Sequence, residues 1–283
     1  LIVSFVGYEN DTIQVKDKNA VLDVVLREGM ELSEVNIVSR KLSTLKLRNS
    51  VMNEEMISSA ELSRAACCNL GESFVTNPSV DVSYSDAATG AKQIKLLGLS
   101  GTYVQMLTEN IPNYRGAASP YGLGYVPGPW MQSIQVSKGI SSVKNGYEAI
   151  TGQINVEFKK PQLPEADWVS ANLFASSTNR YEANADATLK LSKRWSTSLL
   201  AHYENETKAH DGNDDGFVDI PQVEQYNVWN RWAYMGDHYV FQAGFKALSE
   251  SRTSGQAHHT DMQTGDLYKV GIDTERYELF TKN

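Results

Sequence analysis

The fold of this chain is decided by residues 180–192, which read RYEANADATLKLS. Every second residue is apolar, and these residues are Tyr181, Ala183, Ala185, Ala187, Leu189 and Leu191. The residues between them are polar, namely Glu182, Asn184, Asp186, Thr188 and Lys190. Strict alternation predicts a β-strand with one apolar and one polar face. Residues 238–248, HYVFQAGFKAL, repeat the pattern, with Tyr239, Phe241, Ala243, Phe245 and Ala247 on the apolar side.

The connections between these strands differ at the two ends. Turns are predicted to be tight at residues 193–194 and 236–237, and loops long at residues 208–225 and 249–265. Strands near ten residues, short turns at one end and long loops at the other are typical of transmembrane β-barrels. A soluble antiparallel sandwich also alternates, but its strands are usually shorter. Aromatic residues near strand ends fit the girdles of a barrel, and these are Trp168, Trp195, Trp229, Trp232 and Tyr239.

About six strands follow Pro161, whereas a plugged barrel has roughly 22. We therefore expect the chain to be a fragment, with the remaining strands beyond Asn283. Neither end reads as closed, because Leu1 and Asn283 both interrupt strand-like sequence.

The composition of the 283 residues narrows the possible functions. No stretch approaches the roughly 20 apolar residues that a membrane-spanning helix needs. The formal net charge is -8, and Lys and Arg are scattered among acids, so no nucleic-acid partner is predicted. The G-x-S-x-G, H-E-x-x-H and P-loop motifs are all missing. We therefore predict that the protein is not an enzyme.

The middle of the chain mixes helix and strand signals. Residues 53–62 have acids near their start and helical spacing, and residues 63–74 continue as a predicted helix. Strands are predicted at residues 80–84, 92–97, 103–107 and 133–139. Residues 110–129 are rich in proline, glycine and tyrosine, which indicates a long loop of functional importance.

Residues 92–161 resemble the plug domain of TonB-dependent receptors over about 70 residues. The resemblance rests on the order and spacing of four segments: QIKLLGL at 93–99, YVQMLTENIP at 103–112, MQSIQVSKG at 131–139 and GYEAITGQINV at 146–156. Two positions depart from the family pattern. Leu97 stands where Arg usually precedes the Gly, and Glu109-Asn110 replace Asp-Gly before Ile-Pro.

This resemblance implies three regions. We expect the end of a β-sandwich at residues 1–38, an α+β plug domain at 39–161, and the first antiparallel strands of a transmembrane β-barrel at 162–283. It further implies a place in the bacterial outer membrane, in contact with its lipid. The implied activity is uptake into the periplasm of a metal chelate or metal ion, such as a ferric siderophore, cobalamin or copper. The TonB complex of the inner membrane would supply the energy, so no cofactor is required.

The N-terminal segment resembles the end of the carboxypeptidase-regulatory-like domain that precedes many Bacteroidetes-type plugs. Residues 31–38, ELSEVNIV, are similar to the stretch that links the two domains and stand where a TonB box would stand. An extended, β-prone segment can add a strand to a partner's sheet. The candidate TonB-box residues are Glu34, Val35, Asn36, Ile37 and Val38. The alternative is that this stretch is only the last strand of the sandwich.

Two groups of residues are candidates for binding the transported ligand. In the plug loop they are Asn113, Tyr114, Arg115, Tyr121, Tyr125 and Trp130, since aromatic rings and guanidinium groups suit a chelate. The alternative is that these side chains pack against the barrel wall. In the second long loop, His258, His259 and Met262 offer imidazole and thioether ligands for a transition metal. Exposed histidine pairs are also often inert.

The first long loop contains a calcium-like motif. Asp211, Asn213 and Asp215 stand at positions 1, 3 and 5 of such a loop and Gly216 at position 6. Gln222 stands at position 12, where a bidentate Glu is usual, and Asp219 at position 9 is a partial substitute. Calcium is therefore a candidate cofactor, the alternative being an acidic, solvated loop. The competing function is a soluble β-rich module for calcium-dependent binding or adhesion.

Cys67 and Cys68 are adjacent and are the two cysteines of the chain. Neighbouring cysteines close a disulfide only with strained geometry. They are either reduced or buried thiols, or part of a soft-metal or redox site.

Overall fold

The structure is a computed structural model that describes residues 2–3, 11–12, 24–25, 44–46, 53–64, 68–75, 77–140, 146–161, 168–258 and 265–283. The chain divides into two compact units, Leu1–Lys41 and Leu42–Asn283. In the first unit, strand β1 (Ile2–Val3) pairs antiparallel with β2 (Asp11–Thr12). The candidate TonB-box residues, 34–38, lie outside the described residues.

The second unit begins with the plug region, residues 44–161, which holds two sheets. The larger sheet has the order β3-β4-β10-β11-β8-β9, with β8 and β11 parallel and the other pairs antiparallel. Its strands are β3 (Thr44–Lys46), β4 (Asn53–Ser58), β8 (Val104–Thr108), β9 (Ile111–Pro112), β10 (Met131–Lys138) and β11 (Gly152–Phe158). The smaller sheet consists of β5 (Asp81–Asp86), β6 (Ala91–Leu96) and β7 (Leu99–Ser100).

Helix is scarce in the plug region. The α-helix α1 covers Ser59–Arg64, and short 3-10 turns cover Glu72–Phe74, Gly101–Tyr103, Gly116–Ala118 and Gly128–Trp130. No helix in the described part of the chain is long and apolar enough to cross a membrane.

The predicted helix over residues 53–62 is wrong in its first half, because Asn53–Ser58 form strand β4. This strand pairs antiparallel with β10, in register from Ser133 opposite Ser58 to Lys138 opposite Asn53. Lys138 also donates to Glu55 at 3.1 Å across this pair. Pairing with a strand about 80 residues away outweighs local helical spacing, since most stability of a short helix comes from packing.

Six antiparallel strands in sequential order follow the plug region and form a sheet that we call the wall. Their bounds are β12 (Val169–Ala175), β13 (Tyr181–Lys190), β14 (Trp195–Glu206), β15 (Gln222–Met235), β16 (Val240–Gly255) and β17 (Lys269–Lys282). The six predicted strands are therefore confirmed. The two long connections are shorter than predicted, at residues 207–221 and 256–268, because β15 already begins at Gln222 and β16 continues to Gly255.

The predicted alternation is confirmed, and the polar side is the inner side, which faces the plug region. Along β15, Gln225, Asn227 and Arg231 are at most 1% exposed, whereas Tyr226, Val228 and Trp232 are 41–53% exposed. A soluble sandwich buries its apolar face. Here the apolar face points outward, as in a strand that meets lipid.

Contacts between the plug region and the wall are both apolar and polar. One hydrophobic core joins Leu200, Trp229 and Leu248 of the wall to the apolar interior of the plug region. At its centre the Phe158 ring meets the Trp229 ring edge-on, with centroids 4.3 Å apart. The polar inner residues around this centre have to find hydrogen-bond partners in the plug region, and those contacts define the candidate site.

An outward charge should be far more costly in the middle of a wall strand than at its end. We expect Val228→Arg to lower the free energy of unfolding by about 2–4 kcal/mol and Leu189→Arg, near the end of β13, by about 0–1 kcal/mol, because lipid solvates charge poorly at its midplane. Both side chains point outward and are similarly exposed, at 42% and 47%. Urea unfolding of the full-length protein in lipid vesicles measures the difference. Small and equal effects would show that lipid does not cover this face.

Candidate functional site

A buried ion pair joins the plug region to the wall. Arg231 donates to both oxygens of Glu109, from Nη1 at 2.6 Å and from Nη2 at 3.0 Å. The side chains are 1% and 3% exposed. Arg231 also donates to the Lys159 carbonyl at 3.3 Å and to Gln242 Oε1 at 3.0 Å. A buried guanidinium is costly unless acceptors such as these replace its lost water. Because the acceptors lie in both parts, the ion pair fixes the position of the plug region against the wall.

Glu109 reaches the wall because it lies in a tight turn. Glu109 and Asn110 join β8 to β9 and have φ of 51° and 65°. Two successive residues with positive φ make a type I′ hairpin, which explains why Asp-Gly is usual at this point of the resembled family. In this chain the longer glutamate extends the carboxylate to Arg231, and Lys282 donates to the Glu109 carbonyl at 3.3 Å.

The aromatic residues of the plug loop contact cations of the wall. Lys246 donates to the Tyr114 hydroxyl at 2.9 Å and to the Tyr125 carbonyl at 3.0 Å. Its Nζ also lies 6.0 Å from the centroid of the Trp130 ring. Burial raises the pKa of Tyr114 and of Tyr125, so both phenols stay neutral. Three of the predicted ligand-binding residues are thus buried against the wall.

The other three candidates of the plug loop lie in three different places. Asn113 accepts from Arg276 at 2.5 Å and donates to Glu278 at 3.0 Å, both on β17. Arg115 turns into the plug region and pairs with Glu148 at 2.6 Å. Tyr121 lies under the Arg252 guanidinium at 5.2 Å and borders an open cavity. Tyr121 is therefore the plug-loop aromatic best placed to meet a ligand.

A second group of ion pairs surrounds Arg180, in the short turn before β13. Its guanidinium contacts Glu72 of the plug region at 2.8 Å, Glu182 at 2.7 Å and Glu204 at 3.1 Å. Burial disfavours the charged form of Glu72, but Arg180 outweighs it and holds the pKa of that carboxyl below its usual value. One arginine thus connects the plug region to two wall strands.

Cys68 lies beside this group as a buried free thiol. Burial, together with the nearby Glu182 carboxylate, raises the pKa of Cys68 far above its usual value. The thiolate is the form that binds soft metals and reacts with oxidants. These surroundings fit the reduced, buried alternative for Cys68, while Cys67 lies outside the described residues.

The structure brings the calcium-like loop and the histidine loop together. His258 Nδ1 lies 3.6 Å from Asp211 Oδ2, whereas His259 and Met262 lie outside the described residues. Asp211 accepts from the backbone N–H groups of Asp215 and Gly216 at 3.1 and 2.8 Å. Asp219 accepts from the Gly212 N–H at 2.7 Å.

These carboxylates therefore brace their own loop. Within the described ranges, no group of three or more His, Cys, Asp or Glu side chains is placed to hold a metal ion. Calcium binding by Asp211, Asn213, Asp215 and Asp219 stays a prediction.

Sequence reasoning missed the charged residues that hold the two parts together. Arg180, Arg231 and Lys246 belong to no motif, and Glu109 stood out only as a departure from the plug pattern. The available signal was the alternation itself, because it places Arg231 and Lys246 on the polar side of long strands. The sequence could therefore have predicted that Arg231 and Lys246 each have a partner in the plug region, but not which residue it is.

Breaking the central ion pair should destabilise the protein strongly. We expect Glu109→Gln to lower the free energy of unfolding by about 3–5 kcal/mol, because Arg231 then stays buried without a carboxylate. Adding Arg231→Met should recover a large part of the loss. The exposed Arg194–Asp237 pair, with side chains 55% and 78% exposed, is the control, and Asp237→Asn should cost less than about 1 kcal/mol. Urea denaturation of the full-length protein gives these values, and an additive double variant would contradict the pairing.

The Cys68 thiol should be unreactive in the folded protein. In a Cys67→Ser background at pH 8, we expect N-ethylmaleimide to label Cys68 at least about tenfold more slowly than the same chain in urea, since its raised pKa removes thiolate. Thr207→Cys, made in a Cys67→Ser, Cys68→Ser background, provides an exposed control thiol. Equal rates for the two thiols would refute the burial of Cys68.

Comparisons with known proteins agree with this geometry. Residues 46–153 match the family model described as TonB-dependent Receptor Plug Domain. A sequence search of curated proteins gave no match.

Solved structures share the fold at low sequence identity. The ferric yersiniabactin uptake receptor FyuA from Yersinia pestis is 17% identical with a TM-score of 0.54, over 72% of this chain and 32% of that one. The pyoverdine outer membrane receptor FpvA from Pseudomonas aeruginosa PAO1 is 16% identical with a TM-score of 0.57, over 72% and 28%. The copper transporter OprC is 16% identical with a TM-score of 0.59, over 80% and 33%.

The chain spans about a third of the length of these structures. The residues matched by the family model lie in the plug region. The six antiparallel strands of the wall follow them in the chain. The chain therefore carries a TonB-dependent receptor plug domain followed by antiparallel strands of a barrel-like sheet, and its place is the bacterial outer membrane.

Proposed function

We propose that this chain belongs to a receptor for active, TonB-dependent uptake of a metal chelate or metal ion into the periplasm. One observation supports this most directly. The wall has its apolar side outward, and the plug region contacts the polar inner side through buried ion pairs. A plug that blocks transport until it is displaced requires contacts of this kind, which can break and form again. Transport of this kind uses binding and displacement of the plug rather than catalysis.

The class of cargo follows from the relatives and not from this chain's own geometry. The similar structures are receptors for ferric yersiniabactin and for pyoverdine, and a copper transporter, as their descriptions state. Their sequence identities of 16–17% indicate fold alone. We therefore propose a ferric siderophore, cobalamin or a copper-like ion as the cargo. Growth of a deletion strain on single sources of iron, copper or cobalamin identifies it.

The ligand is proposed to arrive from the side of the long loops. Residues 207–221 and 256–268 lie at that end, and the opposite turns, 191–194 and 236–239, are short. Short turns face the periplasm in outer-membrane barrels. The residues proposed to meet the ligand are Tyr121 beside the cavity and His258, together with His259 and Met262 of the same loop.

We propose that energy reaches the protein when TonB binds an extended segment of the chain. Residues 34–38 would add a strand to the sheet edge of TonB, which uses backbone hydrogen bonds. The pull would then reach the plug region through β3 and β4, the first strands after that segment. Ion pairs such as Glu109–Arg231 would have to break before the plug region could leave the wall.

A proline in this segment should abolish uptake while leaving binding intact. We expect Val35→Pro to remove energised uptake of the identified cargo, because proline cannot donate its backbone hydrogen bond to an added strand. Val35→Ile retains a β-branched residue and should transport normally. Radiolabelled uptake by whole cells, with receptor level and cargo binding measured in parallel, tests this. Normal uptake by the proline variant would place the TonB box elsewhere, and uptake unaffected by loss of TonB would overturn the proposed function.

A further inference from the structure

A cavity of about 280 Å³, lined by both charged and apolar side chains, lies between the plug region and the wall. Ile220 and Pro221 of the first long loop border it, together with the long-loop ends of the wall strands. Strand β6 and the loop around Tyr121 close it on the plug side. The cavity thus lies at the end from which a ligand is proposed to arrive, and both parts of the protein line it.

Most charges that line the cavity neutralise one another. Arg180 pairs with Glu72 and Glu204, at 2.8 and 3.1 Å. Arg252 pairs with Glu250 at 3.1 Å, and Gln225 donates to the same carboxylate at 2.7 Å. These five charged groups are committed to structure, so they have little attraction left for a ligand.

Lys92 is the exception on the plug side. Its Nζ lies 5.4 Å from the centroid of the Tyr84 ring, and no ion pair joins it to any residue in the described ranges. Burial lowers the pKa of Lys92, which reflects the cost of a cation removed from water without a direct counter-ion. An anionic group entering the cavity would supply that counter-ion.

Glu206 is the exception on the wall side. The residue is 7% exposed and lines the cavity. Thr178 donates to its Oε1 at 3.2 Å, but its other oxygen has no hydrogen-bond partner, and no cation pairs with it, within the described part of the chain. A buried carboxylate with a single hydroxyl donor can accept further donors from a cationic group.

The rest of the cavity lining includes apolar and aromatic side chains. The contributing side chains are Tyr84, Tyr121, Leu123, Phe174, Ile220 and Pro221. The cavity is at the small end of ligand pockets, so it suits a small molecule or one end of a larger one. A ligand that has an apolar body and carries both an anionic and a cationic group would match this lining.

We propose that this cavity binds a zwitterionic group, with an anion at Lys92 of the plug region and a cation at Glu206 of the wall. An α-amino acid or a short peptide has this chemistry, as does a chelate that carries such an end group. This proposal adds a ligand class to the proposed function. It rests on that function only for the side from which the ligand enters, which is the side of the long loops. A bound zwitterion would join the plug region to the wall directly, so the plug region would sense its arrival.

The test uses the purified full-length receptor in detergent and the dipeptide Leu-Gly as the probe. Titration calorimetry compares Leu-Gly with its N-acetyl form and its C-terminal amide. We expect each blocked form to bind at least about tenfold more weakly, because each loses one charge-assisted contact worth more than a factor of ten. Absence of Leu-Gly binding, or equal binding of all three, would overturn the proposal.

Two variants assign the two ends of the ligand. Lys92→Met should remove the preference for the free carboxylate over the amide and keep the preference for the free amine. Glu206→Gln should do the reverse. The matched controls are Lys95→Met, on the same strand but paired with Asp81 at 3.9 Å, and Glu224→Gln, which accepts from Tyr226 outside the cavity. Both controls should keep both preferences.

Other outcomes are equally decisive. If each cavity variant weakens all three compounds equally, its role is structural and the zwitterion site is wrong. TonB-dependent uptake of the cargo is measured separately in cells. Normal uptake with no dipeptide preference would reject this site alone, whereas loss of TonB dependence would reject the transport proposal.

Discussion

The structure depends on one constraint, which is that the wall carries its polar side inward. Lipid takes the outward face, so each wall strand contributes alternate charged and amide side chains to the interior. A buried polar group without a partner costs roughly 1–3 kcal/mol, and a buried charge costs more. The plug region therefore has to meet the wall with carboxylates, carbonyls and hydroxyls as well as with apolar groups.

The contact between the two parts is organised by this requirement. Phe158 and Trp229 form an apolar centre, and Glu109–Arg231 and the Arg180 group anchor the plug region around it. Ion pairs of this kind are sensitive to geometry, because their gain barely exceeds the cost of desolvation unless the partners align. The interface is consequently well defined in position, yet its net stability is smaller than an apolar interface of equal size would give.

Local chain geometry makes these contacts possible. Glu109 projects from a type I′ turn, and Arg180 from a short turn between two wall strands. Turns at strand ends can place one long side chain across a gap that a strand cannot cross. No such turn fills the cavity. Lys92 and Glu206 line it from strands β6 and β14.

The sequence by itself determined the periodic features of this protein. Alternation gave the six wall strands and the polar identity of one face, because a β-strand has a side-chain period of two. The four plug-like segments located the plug region. Tertiary structure alone decided the rest. Asn53–Ser58 became a strand through pairing with residues 133–138, and Tyr114, Tyr125 and Trp130 turned to the wall cations. Partners such as Glu109 and Arg231 are separated by 122 residues, and no local rule relates side chains that only folding brings within hydrogen-bonding distance.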